Sequence, residues 1–154
     1  METKGGLYIT QIKQVSGRIF DRLLQQNGIE INGGQGRILF LLWKQDHLTM
    51  TEISRQTALA KNTITVVIDG MVKKGIVLRK QNPKNRREII ISLTEQARAL
   101  QEKYELVSQQ MNAMFYKGFS LEEQQQFEAY LLRILTTLTK IEDNGDMNEK
   151  ENAT

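Results

Sequence analysis

AKNTITVVIDGMVKKGIVLRKQNPKNRR, residues Ala60 to Arg87, decides how this chain is read. Apolar side chains fall at Ile64, Val67, Ile68, Met71 and Val72, the three-and-four spacing of a helix with one buried face. Lys61, Asn62, Thr65, Val66, Asp69 and Lys73 then lie on the opposite side. Lys74-Gly75 ends that helix, because glycine tolerates the positive φ needed just past a helix terminus. Ile76 to Leu78, and Ile89 to Ile91 with Leu93, have the β-branched character of strands. Between them Asn82-Pro83-Lys84-Asn85-Arg86 is turn chemistry, with proline presetting the bend and asparagine folding onto its own backbone. The spacing predicts a helix followed by a β-hairpin whose tip carries Lys84, Arg86 and Arg87.

Charge follows the same outline. Within residues 61 to 87, eight cations face a single carboxylate, Asp69, in a chain whose net charge is only +3. Basicity is therefore local, whereas a merely solvated helix face mixes signs. Cations on a protruding hairpin suit the narrow, electronegative minor groove of DNA. Asn62, Thr63 and Thr65 near a helix start suit base edges and phosphates in the major groove.

The remaining chain sets bounds. Its 154 residues suffice for one domain with a real core. The absence of cysteine removes disulfides, thiolate metal sites and thiol redox sensing together. A single histidine, His47 beside Asp46, leaves no metal-ligand cluster, and we expect no metal and no cofactor. No glycine-rich phosphate loop follows a strand and no nucleophile has a patterned base, so an enzyme is not expected. The polar N-terminus and the lack of a long apolar run predict a soluble, cytoplasmic protein that does not enter membranes.

Working outward, residues 7 to 27 read as an amphipathic helix stopped at Gly28. Asn32 can cap a second helix running to about Trp43. Gly33, Gly34 and Gly36 in its first turns mean close backbone packing, backbone approach to a ligand or phosphate, or a poorly formed helix start. Thr49 with Glu52 is a capping box for a helix over Leu48 to Gln56. Thr94, or Ser92 reaching Glu95, caps a long helix closed by Lys117-Gly118, and Ser120 with Glu123 opens a last one reaching Ile141. These outer helices carry more apolar surface than a small lobe can bury, which argues for a second copy joined about a two-fold axis. We expect one domain over residues 1–141. It comprises a DNA-binding lobe at about 32–93, pairing helices at 7–27 and 94–141, and an acidic, disordered tail at 142–154.

Several residues have two readings. Thr63 and Thr65 either touch DNA or cap and pack the helix start. Lys73 and Lys74 are either phosphate contacts or favourable charges at a helix C-terminus. Arg79 and Lys80 either bind DNA or protect an edge strand. Met111, Met114, Phe115 and Tyr116 either fill a core or line an effector cavity.

From about Ile31 to Leu100 the chain resembles the multiple antibiotic resistance regulator (MarR) family of bacterial winged-helix repressors. The resemblance is carried by Ile31-Asn32 with Gln35; by Leu48-Thr49 through Glu52-Ile53; by Lys61-Asn62-Thr63-Ile64-Thr65 leading to Met71 and Lys74-Gly75-Ile76-Val77; and by Asn82 to Arg87 ending in Ser92-Leu93-Thr94. It implies a mainly α winged helix-turn-helix with a small β-hairpin wing, acting as a homodimer on a pseudo-palindromic operator. The site residues are then Lys61, Asn62, Thr63, Thr65 and Val66 on the recognition helix and Lys84, Arg86 and Arg87 on the wing. Arg86 takes the place of the family's minor-groove arginine. Release by a small-molecule effector is a further implication, with no effector residues assigned. The alternative is a winged-helix architectural or protein-interaction module that binds without sequence choice. Asn82 and Asn85 depart from the family's usual aspartates, which puts the rigidity of the wing in question. Val66 stands where arginine is frequent, so an apolar contact replaces a polar one.

Overall fold

The computed structural model describes residues 1–145. In chain order the elements are α1 (Gly5–Gln26), α2 (Gly33–Lys44), β1 (Leu48–Thr49), α3 (Met50–Thr57), α4 (Lys61–Lys73), β2 (Val77–Asn82), β3 (Asn85–Leu93), α5 (Glu95–Phe115) and α6 (Leu121–Asn144). They fall into two compact units, Met1–Ala113 and a second from Met114 onward.

In the first unit, buried aliphatic side chains from α2, α3, α4 and the sheet share one core, with Ile38, Leu39, Ile53, Ile64, Ile68 and Ile91 fully enclosed. α4 contributes Ile64, Ile68 and Met71, while Val72 is 38% exposed, contrary to the sequence expectation. At about 100° per residue Val72 lies roughly 80° round the helix from Ile64, on the flank of the stripe. α4 stops as the sequence implies. Gly75 takes φ +73, its N–H donates to Val72 O, and the Ile76 N–H reaches back to Met71 O. That is a paired C-terminal cap sealed by two buried side chains.

The capping boxes form at Asn32 with Gln35 and at Thr49 with Glu52. Thr94, not Ser92, caps α5: its hydroxyl oxygen accepts the Ala97 N–H at 3.2 Å, whereas Ser92 is buried in β3. The glycines opening α2 differ in role. A Cβ on Gly36 would lie 2.5 Å from Tyr104 Oη, so the close-packing reading holds there. Tyr104 itself sits between Phe20 and Trp43, with ring centroids 5.6 and 5.2 Å away. Burial pushes its phenol up to about 12.

The sheet corrects the two-stranded expectation. It has three antiparallel strands in the order β1-β3-β2, because Leu48 and Thr49 pair with Ile91 and Ile90 before α3 begins. Leu48, assigned to a helix from sequence, is thus strand, and Thr49 is both strand and the N-cap that its capping box with Glu52 implies. β1 anchors the base of the hairpin to the helical core.

A node at this base escaped the sequence reading. The Asp46 carboxylate accepts the Leu93 N–H at 2.9 Å, the His47 N–H at 2.8 Å and Arg98 Nη2 at 2.6 Å. It ties the α2–β1 loop to β3 and to α5. His47, with φ 63, places Nδ1 2.8 Å from Ser92 Oγ. Asp46→Ala leaves these donors without their acceptor and is expected to cost about 2 kcal/mol. Urea unfolding with an unchanged slope and a lower midpoint would show it.

In the second unit Ser120 and Glu123 form the third capping box, and the Ser120 backbone N–H holds the Glu123 carboxyl below its usual range. Phe115, Tyr116, Phe119 and Phe127 meet largely edge-on, yet Met114, Phe115 and Phe119 stay exposed, so within one chain the stripe is not a closed core. α6 runs to Asn144, where Gly145 takes φ +66. Residues 142–144, expected to begin a disordered tail, are its last turn. The rest of that tail lies outside the described residues.

Candidate nucleic-acid interface

The outward ridge of α4 follows from its buried stripe. Asn62, Val66, Asp69 and Lys73 are spaced four, three and four residues apart and stand opposite Ile64 and Ile68, with Thr63 and Thr65 on the flanks. Lys61, Asn62, Thr63, Thr65 and Val66 are all exposed. The N-cap, Ala60, offers no side-chain hydrogen bond, so neither threonine caps the helix. The Thr65 hydroxyl instead donates to Lys61 O at 2.9 Å, inside its own helix.

The two lysines at the helix end part company. Lys74 Nζ donates to Glu30 O and Gln35 Oε1, at 2.9 and 3.0 Å, and so stitches α4 to the start of α2. Lys73 is exposed. Asp69, the only acid in the basic stretch, is ion-paired with Arg79 of β2. That pair joins helix to wing and neutralises the acid on the outward side of α4. Nothing in the sequence pattern singled it out, since the partners are ten positions apart on different elements.

The wing also differs from expectation. Pro83 and Lys84 alone make the turn, with Asn82 opposite Asn85. Lys84 is thus at the tip, whereas Arg86 and Arg87 belong to β3. The register jumps from Gln81↔Ile89 to Asn82↔Asn85, so Arg86, Arg87 and Glu88 form a bulge with no residue opposite. A bulge re-aims side chains and sharpens twist. It forms here because the asparagines fold back: Asn82 Oδ1 accepts the Lys84 N–H at 3.0 Å, and Asn85 Oδ1 the Arg87 N–H at 3.1 Å. Gln81 Nε2 braces the far side by donating to Arg86 O at 2.9 Å. Amide oxygens therefore hold the backbone of this wing. Lys84, Arg86 and Arg87 are exposed, and among the described residues no carboxylate pairs with them.

Residues 31–89 match the family model described as MarR family. Over that stretch, less than half of its length, the chain is similar to the MarR family. Over 65 residues, 42% of its length, it is 35% identical to the organic hydroperoxide resistance transcriptional regulator of Bacillus subtilis, and that match spans 44% of the regulator's own length. The chain is similar in fold to a mutant MarR from E. coli complexed with operator DNA, at 24% identity and TM-score 0.77, covering 84% of this chain and 92% of that one. It is also similar to Bordetella bronchiseptica BpsR, whose DNA binding is regulated by 6-hydroxynicotinic acid, at 23% identity and TM-score 0.76, covering 88% and 94%. The three-stranded sheet and six described helices thus match the winged-helix fold of these structures. Among the described residues no helix is long and apolar enough to cross a membrane.

Proposed function

We propose that this chain is a sequence-specific DNA-binding transcription regulator, most simply a cytoplasmic bacterial repressor. One observation carries the reading: the cations of the Ala60–Arg87 stretch that remain exposed and without an ion-pair partner lie at the two ends of α4 and on the bulged wing, while the acid between them is cancelled by Arg79. Lys61, Asn62, Thr63, Thr65 and Val66 enter the major groove. Lys84, Arg86 and Arg87 follow the flanking backbone and minor groove. The fold shared with the operator-bound E. coli protein supports this placement.

The regulator works as a homodimer. Leu7, Tyr8, Ile9, Ile12 and Val15 of α1 are each more than 40% exposed, and α6 buries no residue at all. Apolar faces this long need a partner. An effector acts by changing the separation of two α4 helices that must match one duplex turn, about 34 Å. The ligand control of BpsR favours this route, and so does a hollow of about 390 Å³ between α1 and the start of α2, lined by Lys13, Phe20, Asp21 and Arg37 among others.

Titration of the DNA upstream of the protein's own gene tests the whole reading. A specific complex of two chains per site is expected at submicromolar protein and moderate salt. Asn62→Ala should bring the affinities for operator and scrambled duplex about tenfold closer. Equal binding of every duplex by the unmodified protein would instead favour an architectural module.

A further inference from the structure

Val66 is 72% exposed, more than any other large apolar residue of the first unit except Met1. It is not on a flank. It stands on the outward ridge of α4, one turn after Asn62 and one turn before Asp69, so any duplex approached by that ridge meets it. Scattered surface valines are ordinary, but this one occupies the middle of the reading surface, where its neighbours have little to offer a base. Asp69 is held by Arg79, and the Thr65 hydroxyl proton is spent on Lys61 O. The groups left pointing outward on consecutive turns are one carboxamide and one isopropyl.

The major groove has a distinct complement for each. A carboxamide pairs with the N6 and N7 edge of adenine, and the only apolar group on the floor of the groove is the 5-methyl of thymine. Four residues of α-helix advance roughly 6 Å, close to two base-pair steps. We infer that Val66 is a specificity-determining residue that reads a thymine methyl, placed within about two base pairs of an adenine read by Asn62. This rests on the DNA-binding reading above.

The test uses duplexes selected by the full-length protein from random DNA. Each thymine of the recovered half-site is replaced in turn by 2′-deoxyuridine, which keeps the base pair and removes only the methyl. At one thymine per half-site the change is expected to weaken binding about fourfold, the worth of one buried methyl. The protein with Val66→Ala should bind uracil and thymine duplexes equally. If no thymine responds, or if the response survives Val66→Ala undiminished, this inference is overturned while DNA binding stands. If selection recovers no preferred sequence at all, both readings fall.

Discussion

Alanine at both Arg86 and Arg87 is expected to weaken binding to operator and non-operator duplexes alike, by roughly ten- to a hundredfold at moderate salt. Both side chains are exposed in a bulge that has no partner on β2, so their loss removes charge without disturbing a ladder. The slope of log affinity against log salt should flatten by about two, one unit for each cation withdrawn from the backbone. Because these arginines position the protein more than they read bases, the ratio of specific to non-specific affinity should change much less than either affinity. Fluorescence anisotropy at three salt concentrations measures all of this. An unchanged titration would remove the wing from the interface and leave α4 to bind alone.

The second large effect concerns stability. Ordinarily Gly→Ala inside a helix gains up to about 1 kcal/mol, and Gly17 of α1, with nothing within 4 Å of a new Cβ, should behave so. Gly36 should do the opposite. Its Cβ would stand 2.5, 2.6 and 2.8 Å from three atoms of Tyr104, and that ring cannot yield, being buried and bracketed by Phe20 and Trp43. Overpacking of this kind costs about 1–3 kcal/mol net, lowering the thermal midpoint by roughly 3–10 °C. Parallel melts of Gly36→Ala and Gly17→Ala should move in opposite directions. Equal shifts would mean that the α2–α5 contact is looser than the geometry requires.

Much of this molecule was legible from local chemistry. The caps at Asn32, Thr49 and Ser120 and the stop at Gly75 depend on residues within five positions of each other, and helical periodicity marked Ile64, Ile68 and Met71 as the buried face of α4. Charge focus marked the basic hairpin for the same reason, since a run of cations is visible without any fold. What the sequence could not reveal joins positions far apart. The pairing of Leu48 with Ile91, the Asp46–Arg98 bridge, the Asp69–Arg79 pair and the fit of Gly36 against Tyr104 each link residues that carry no local signature. The position of Arg86 was of the same kind: turn chemistry placed it at the tip, and only strand register moved it into the bulge. Helix type and surface charge are set by near neighbours along the chain, whereas strand register and side-chain pairing are set by neighbours in space, and those exist only once the core has closed.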